Sequence, residues 1–431
     1  MRPPAPTRTR TGLFIGLAVL ATTALAVLVA NFMGGEKKVE RRVGAAYSIE
    51  DPRFARELGV LLGPPFVGGN HTQVLLNGDE IFPSMLTAIR GARQSITFET
   101  YIYWSGDIGR AFADALAERA RAGVKVHVLL DWVGSAKMDD ALLDTMSAAG
   151  VQIRKFHPPH WTHLGRLNNR THRKLLVVDG QVGFTGGVGI APEWTGAAQD
   201  SAHWRDTHFR IEGPAVAQLQ AVFLDNWIKV TGDVVHGPKY FPPLDAVGEH
   251  EAQMFSSSPT SGSESMQLMY LLTITAAARS IDLSAAYFIP DDLTMRALVE
   301  AIGRGVRVRV VVPGDHIDSD TVRSASRARW GGLLAAGAVI AEYQPTMYHC
   351  KVMIVDGLLV SVGSTNFDNR SFRLNDEATL NVIDREFAAQ QTRIFEADLA
   401  KARPISFEQW SQRPASEKLS EWVSSILSTQ L

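Results

Sequence analysis

The stretch HRKLLVVDG at residues 172–180 recurs as HCKVMIVDG at residues 349–357. Each copy contains His-x-Lys, four apolar residues and Asp-Gly. Side chains on a β-strand alternate between its two faces, so each histidine should point the same way as the lysine two residues later. An imidazole and an ammonium on one face suit a phosphate group. One copy could be ordinary core or surface residues, but two matching copies predict a duplicated phosphate-handling site.

The sequence around the two motifs repeats as well. Matching apolar segments predict strands at 95–103 and 280–288 and at 123–130 and 305–312, with helices at 86–94, 271–279, 108–122 and 293–304. Alternating strands and helices indicate α/β layers, and a repeat this long indicates duplicated domains rather than a solenoid. We place the domains at residues 65–240 and 250–431, joined by a linker within the Pro-, Gly- and Ser-rich residues 237–263.

A glycine turn follows each Asp-Gly pair. In the second half it is GSTN, in which Ser364 and Asn366 can donate hydrogen bonds to phosphate oxygens. The first half has GGVG, so Gly187 and Gly189 offer no side-chain donors. We therefore expect backbone amides to bind phosphate in the first half.

Four carboxylates recur at matching places. Asp206 and Glu377 each open a later strand and are expected to hold the two histidines in one tautomer. Asp179 and Asp356 end the two motifs, where either a direct catalytic role or a structural role in the Asp-Gly turn is open.

The pattern H-x-K-x4-D-x6-G-S-x-N is complete in the second half and nearly complete in the first. It resembles the hallmark of the phospholipase D superfamily, and residues 98–102 and 361–375 are similar to its bacterial cardiolipin synthase branch. The resemblance covers about residues 70–431. It implies an α/β fold of two α/β/α sandwich domains that meet face to face about a pseudo-two-fold axis, with both motifs in one cleft.

The resemblance also implies roles for the motif residues. His172 would be the nucleophile that forms a phosphohistidine, and His349 the general acid and base. Lys174 and Lys351 would stabilise charge on the phosphoryl oxygens. The implied reaction is phosphatidyl transfer, most directly the synthesis of cardiolipin from phosphatidylglycerol with release of glycerol.

Three other functions remain open. Hydrolysis of phospholipids to phosphatidic acid would use the same residues. A membrane-tethered nuclease is disfavoured, and no nucleic-acid partner is expected, because the net charge of −2 shows no basic excess. A lipid-binding scaffold without activity would predict damaged motifs, whereas both His-Lys pairs are intact.

The amino terminus predicts a membrane anchor. Residues 12–33 carry no charge and are long enough for a transmembrane helix, between a basic tail at 1–11 and a polar juxtamembrane segment at 34–64. A small-x-small site at residues 24–26 leaves a cleaved signal peptide open. We expect a single-pass protein of the bacterial inner membrane with phospholipid partners. Basic residues flank both ends of the span and leave the side of the catalytic domain undecided.

Three further features bear on ligands. A histidine-rich loop could bind zinc through His157, His160 and His163, but its two prolines and lack of acidic residues disfavour this, and no metal or cofactor is expected. The same loop could meet lipid headgroups through Trp161, Arg166 and Arg170, and a solvated loop without this role is the equal alternative. Cys350, the single cysteine, is either a buried core residue or a reactive thiol.

Apolar residues at helical spacing near the carboxyl terminus fit either a membrane-surface helix or packing on the second domain: Leu419, Trp422, Val423, Ile426 and Leu427.

Overall fold

The computed structural model describes residues 8–32, 39–44, 46–158, 168–259 and 265–426. Its helices are α1 Arg8–Phe32, α2 Pro52–Leu62, α3 Asn77–Gly91, α4 Asp107–Arg121, α5 Asp140–Ala148, α6 Ala215–Thr231, α7 Met266–Ala276, α8 Asp292–Gly303, α9 Asp320–Ala336, α10 Asn369–Arg373, α11 Arg385–Leu399, α12 Phe407–Ser411 and α13 Ala415–Ile426. A 3-10 turn covers Pro192–Trp194.

The strands are β1 Val67–Leu76, β2 Ser95–Thr100, β3 Lys125–Asp131, β4 Gln152–Phe156, β5 Arg170–Thr171, β6 Leu175–Val178, β7 Val182–Gly186, β8 Thr207–Glu212, β9 His250–Ser257, β10 Ser280–Ala285, β11 Phe288–Ile289, β12 Arg307–Pro313, β13 Val339–Tyr343, β14 Lys351–Val355, β15 Leu359–Gly363, β16 Phe367–Asp368, β17 Asn375–Ile383 and β18 Ala402–Ile405.

The strand order shows the duplication directly. Among the described residues, sixteen strands form one mixed sheet, and β1 and β9 pair at its middle. Outward from that pair, the first half runs β8-β7-β6-β2-β3-β4 and the second runs β17-β15-β14-β10-β12-β13. The two halves therefore have the same topology, related by a pseudo-two-fold axis between β1 and β9.

The predicted linker is partly wrong, because residues 250–257 form strand β9. This strand pairs antiparallel with β1 on one side and β17 on the other. Residues 252–255 of β9 are all buried, so both faces of this strand lie inside the molecule. The second part of the predicted linker thus contributes one of the two central strands of the sheet.

The layers follow from three hydrophobic cores. The first half packs α3 and α4 on the outer face of its strands through residues such as Ile81 and Phe112. The second half packs α7, α8 and α9 similarly, with Trp330 buried in that core. The third core is shared by both halves and contains Trp227 of α6 and Phe395 of α11. The inner faces thus meet across two helices, while β1 and β9 also join the halves by hydrogen bonds.

Local sequence explains where the helices begin and end. Ser319 precedes α9 and its side chain accepts a hydrogen bond from the Val322 amide, and Gly337 ends the helix with a left-handed φ of 103°. The helix predicted at 86–94 begins earlier, at Asn77 of α3, and contains Pro83. The segment expected to be a polar juxtamembrane stretch contains α2, whose Leu58 and Leu62 are buried.

The two termini form helices. No helix in the described part of the chain is both long and apolar enough to cross a bilayer, so the predicted transmembrane anchor is not confirmed. At the other end, α13 packs on α9. Its Glu421 is buried and accepts hydrogen bonds from Arg413, whereas Leu419 and Trp422 are more than 60% exposed. Packing on the second half is therefore observed, with Arg327 of α9 3.3 Å from Glu417 of α13. Leu427 and the side chains of Val423 and Ile426 lie outside what the structure describes.

Candidate active site

The two motifs meet in one cleft. His172 lies between β5 and β6, and His349 lies two residues before β14, so each histidine just precedes its strand rather than lying within it. Both imidazoles and the Lys174 side chain line a single cavity of about 540 Å³. The Lys351 ammonium lies beside it, 3.2 Å from Nε2 of His349.

The backbone amide of each histidine is hydrogen-bonded to the opposite half of the chain. The His172 amide donates to the Asp376 carbonyl at 2.9 Å, and the His349 amide donates to the Arg205 carbonyl at 2.8 Å. The short strand β5 also pairs in parallel with the start of β17. Each histidine therefore lies next to the residue that follows its carbonyl partner, and that residue is a carboxylate in both cases.

Those carboxylates bind the imidazoles across the two halves. Nδ1 of His172 lies 3.0 and 3.1 Å from the two carboxylate oxygens of Glu377. Nδ1 of His349 lies 2.7 Å from Oδ2 of Asp206. Because a carboxylate only accepts hydrogen bonds, Nδ1 carries the hydrogen in both rings and Nε2 keeps its lone pair. Both imidazoles are thus set up for nucleophilic attack or proton transfer through Nε2.

Each carboxylate is itself fixed by further hydrogen bonds. Glu377 accepts from the hydroxyls of Ser364 at 2.5 Å and Ser371 at 2.7 Å. Asp206 accepts from the indole Nε1–H of Trp194 at 2.9 Å and from the Thr207 amide at 2.8 Å. Buried carboxylates need such donors, since burial without partners is costly.

Burial sets the protonation of the free cleft. It lowers the pKa of His172 to about 4, with Glu377 opposing the shift. Burial and the neighbouring charge of Lys351 lower the pKa of His349 to about 3. Burial likewise lowers the pKa of Lys174 to about 7 and lowers that of Lys351. At neutral pH both imidazoles are therefore uncharged.

The two orienting carboxylates remain ionised. Burial alone would raise the pKa of Asp206, but its interactions with His349, Lys351 and Trp194 outweigh burial and lower that pKa. The pKa of Glu377 is lowered in the same way, by His172 and Lys174 against the effect of burial. Each imidazole thus faces a carboxylate anion.

Comparison with known proteins agrees with this arrangement. A family model described as a cardiolipin synthase, phospholipase D-like domain matches residues 85–227 and 270–399, which contain both motifs. A cardiolipin synthase of Geobacillus kaustophilus is 38% identical over 365 residues, covering 84% of this chain and 72% of the relative. Cardiolipin synthase A of Pseudomonas fluorescens is 35% identical over 397 residues, covering 91% and 81% of the two chains.

The chain belongs to the cardiolipin synthase family of phospholipase D-like proteins. The resemblance seen in the sequence is thereby confirmed. The crystal structure of a phosphatidylserine synthase from Haemophilus influenzae Rd KW20 has the same fold, with a TM-score of 0.66 over 88% of this chain and 99% of that chain at 14% identity.

This member of the cardiolipin synthase family uses the glycine-turn residues differently from the prediction. The Ser364 hydroxyl is engaged with Glu377, so it positions a carboxylate rather than meeting the cleft. Asn366 does line the cleft, and its amide oxygen has no partner among the described residues. Of the two predicted side-chain phosphate donors, the structure brings only Asn366 to the cavity.

The glycines of the first half make room for other groups. A Cβ at Gly187 would collide with the Asp206 carboxylate, and one at Gly189 would lie 2.8 Å from Cβ of Ile102 and 3.1 Å from the Trp194 ring. The Gly187 amide already donates to the Thr207 carbonyl at 3.2 Å, so the expectation that it binds phosphate is wrong. Trp194 replaces the missing serine as a donor to the carboxylate.

Asp179 and Asp356 lie away from the cleft, and their assignment as catalytic residues is corrected. They follow β6 and β14 at the ends remote from the histidines. Asp179 accepts hydrogen bonds from the backbone amides of residues 93–95, and Asp356 accepts from those of residues 278–280. Both carboxylates fix the start of the neighbouring strand, β2 or β10, which is the structural alternative.

Aromatic side chains form much of the cleft wall, and only their residue type was visible in the sequence. The Tyr101 ring lies edge-on to His172 at 5.2 Å. Trp194 and Trp204 lie 5.2 and 5.4 Å from the His349 ring. Tyr287 donates to Asp318 at 2.7 Å on the same wall. Tyr101, Trp194 and Trp204 therefore pack against the two imidazoles.

The remaining ligand predictions are only partly covered. In the described ranges no group of three His, Cys, Asp or Glu side chains could hold a metal ion. His160 and His163 lie outside the described residues, as do Trp161 and Arg166, whereas Arg170 lines the cleft. Cys350 is buried, and burial raises its pKa to about 12, so it is a core residue rather than a reactive thiol.

Proposed function

We propose that this chain transfers a phosphatidyl group through a phosphohistidine, producing cardiolipin from two phosphatidylglycerol molecules and releasing glycerol. The main support is that each neutral imidazole is hydrogen-bonded to a carboxylate of the opposite half, His172 to Glu377 and His349 to Asp206. Both imidazoles lie in one cleft with two lysines. A single phosphodiester in that cleft would meet a nucleophile, a proton donor and cationic groups together.

In the first step, Nε2 of His172 attacks phosphorus. A P–N bond forms, the P–O bond to the glycerol headgroup breaks, and His349 gives its proton to the departing oxygen. Lys174 and Lys351 stabilise the charge on the phosphoryl oxygens. The order of the two histidine roles follows the family resemblance.

In the second step, the hydroxyl oxygen of an acceptor attacks the phosphohistidine. His349 takes the proton of that hydroxyl and the P–N bond breaks, so both imidazoles return to their starting state. If the acceptor is the terminal hydroxyl of a second phosphatidylglycerol, the product is cardiolipin. If it is water, the product is phosphatidic acid.

The first step needs a proton on His349, although its pKa in the free cleft is about 3. Bound substrate changes that balance, because an anionic phosphodiester adds negative charge beside the ring and favours the imidazolium. Asp206 stabilises the same charged form. Substrate binding therefore raises the pKa of His349, so that this imidazole takes up a proton. His172 is uncharged in the empty site and can attack phosphorus.

Product analysis tests the proposal. The purified full-length protein is given phosphatidylglycerol in mixed micelles, with His172→Ala as the blank and His71→Ala, an exposed histidine outside the cleft, as the matched control. Cardiolipin and glycerol in equal amounts, absent in the blank and present in the control, would support the proposal. Phosphatidic acid alone would make the protein a phospholipase, and absence of any lipid product would contradict phosphatidyl transfer.

We propose that the enzyme acts at the bacterial inner membrane, held there by α1. The support is the lipid substrate together with exposed apolar side chains along α1, including Leu13, Phe14 and Leu20. Fractionation with carbonate extraction checks this: the full chain should stay with membranes and a chain lacking residues 1–38 should be released. A full chain in the soluble fraction would contradict it.

A further inference from the structure

A second positive cluster lies in the cleft besides the motif lysines. Arg170 of β5 and Arg370 of α10 come from opposite halves, and both are half-buried and line the same cavity as the imidazoles. Arg370 is held by Asn168, to whose side-chain and backbone oxygens it donates at 3.1 and 2.9 Å. The Arg170 guanidinium lies over the Trp132 ring at 5.4 Å. Both arginines are therefore positioned by protein contacts before any ligand binds.

The two guanidiniums are close enough to affect each other electrostatically. Burial lowers the pKa of Arg170; Asp131 opposes the shift and Arg370 adds to it. Holding like charges together in a partly buried cleft costs free energy unless an anion joins them. Tyr101, which borders His172, feels the charge of both arginines. The cluster thus lies near the reacting centre.

Two carboxyl groups near the cluster accept hydrogen bonds from backbone amides. Asp131 accepts from the amides of Val133, Gly134 and Thr171, and burial raises its pKa to about 6. Asp368 caps α10 through the Ser371 amide, and burial raises its pKa to about 6 as well. Each of these two carboxyl groups thus has backbone donors of its own, while both arginines line the cavity.

A second observation points to a ligand that also carries hydroxyl groups. Asn366 and Asn375 line the cavity, and their buried amide oxygens have no hydrogen-bond partner among the described residues. Both side chains are only 5% exposed. An unpaired buried acceptor is costly, and a hydroxyl of a bound ligand would satisfy it.

We propose that Arg170 and Arg370 form a second phosphate subsite, which binds the phosphodiester of the acceptor lipid while the His-Lys pairs act on the transferred phosphorus. This inference rests on the proposed phosphatidyl transfer. An acceptor phosphatidylglycerol carries one phosphate and two hydroxyls on the same glycerol unit. With its phosphate on the arginines and one hydroxyl near Asn366 and Asn375, its terminal hydroxyl is directed to the phosphohistidine.

The subsite explains how a lipid alcohol competes with water. The acceptor oxygen forms the new P–O bond, the P–N bond to His172 breaks, and the proton passes to His349, whichever acceptor is used. Only an acceptor with its own phosphate gains binding energy from the arginines. The subsite therefore sets the ratio of transfer to hydrolysis without changing the chemistry.

Two reactions of the same phosphohistidine separate this role from a structural one. The first is cardiolipin formation, which uses a phosphate-bearing acceptor. The second is incorporation of deuterated glycerol into phosphatidylglycerol, which reverses the first step with a neutral acceptor. Both are measured by mass spectrometry in mixed micelles for the full-length wild type and for Arg170→Gln, Arg370→Gln and the two Lys substitutions.

In each Gln variant we expect cardiolipin formation to fall on the order of 10-fold relative to glycerol exchange, with a larger share of phosphatidic acid. The Lys variants, which keep the charge, should recover part of the ratio. Arg329→Gln removes a half-buried arginine that lies outside the cavity lining and pairs with Asp292 on α8, and it should leave the ratio unchanged. Equal loss of both reactions, or an unaltered ratio, would overturn the subsite. A wild type that performs neither reaction would instead overturn the proposed function on which the subsite rests.

Discussion

Nδ1 of His349 lies 2.7 Å from Oδ2 of Asp206, although the two residues belong to opposite halves of the duplicated chain. The same crossing joins His172 to Glu377 at 3.0 Å. Neither half contains a complete histidine–carboxylate pair. The active site therefore exists only when the two halves are assembled, and this ties activity to the shared core and to the β1–β9 pairing.

The crossed pairs can be checked one at a time. We expect Asp206→Asn and Glu377→Gln each to lower kcat on the order of 100-fold or more, because each removes the charge that orients and stabilises one imidazole. Nitrogen NMR of labelled histidine assigns the partner. Asp206→Asn should shift the Nδ1 resonance of His349 and Glu377→Gln that of His172, whereas the opposite assignment would refute the crossing.

Gly187 should not tolerate a side chain. Restoring the family serine with Gly187→Ser, or introducing Gly187→Ala, places a Cβ against the Asp206 carboxylate. We expect at least a 10-fold loss of kcat in both variants, since the His349 pair is displaced. Gly303→Ala is the control, because nothing lies within 4 Å of the added Cβ. Higher activity in Gly187→Ser would show that a serine hydroxyl at this position binds phosphate, contrary to this expectation.

Asp179 and Asp356 should contribute to stability rather than catalysis. Asp179→Ala and Asp356→Ala each leave backbone amides unpaired at the start of a strand and put alanine at a left-handed φ of 54°. We expect the free energy of unfolding to fall by about 1–3 kcal/mol in each variant, with kcat changed only a few-fold. Thermal melts and steady-state assays measure the two effects. A 100-fold loss of kcat with an unchanged melting temperature would restore the catalytic role.

The repeated motifs made the duplication and the His-Lys pairs predictable, because strand periodicity and matching spacing are local properties of the sequence. The crossing was not predictable in this way. Asp206 and Glu377 could be named from their positions, but the histidine that each contacts depends on pairing such as β5 with β17, between residues far apart in the chain. The role of Ser364 was unpredictable for the same reason, since its hydroxyl donates a hydrogen bond to Glu377 rather than to a ligand.

Amino-acid composition also led to one partly wrong prediction, the position of the linker. Residues 237–263 carry the proline, glycine and serine of a linker, yet β9 within them forms the central strand of the sheet. Pairing on both edges stabilises this strand more than its own propensity would suggest. The pocket aromatics, such as Trp194, likewise became functional residues only when folding placed them against an imidazole.

The pH dependence should show the lowered pKa of Lys174. Because that pKa is about 7 in the free cleft, the ammonium is lost as pH rises through neutrality, and kcat/KM should fall above about pH 7. On the acid side, kcat/KM should fall as pH drops towards 4, where His172 becomes protonated and stops being a nucleophile. Lys174→Arg keeps its charge at all these pH values and should flatten the alkaline limb, even if its maximum is lower. An alkaline limb unaltered in Lys174→Arg would assign it to another group.

The most direct test is to trap the phosphatidyl group on the enzyme. Full-length protein is mixed with phosphatidylglycerol, quenched in base within one turnover to preserve acid-labile phosphohistidine, and digested for mass spectrometry. We expect a phosphatidyl adduct on the peptide that contains His172, absent in His172→Ala, together with release of glycerol. Cardiolipin formed at the full rate with no adduct on His172, or with the adduct on His349, would contradict it.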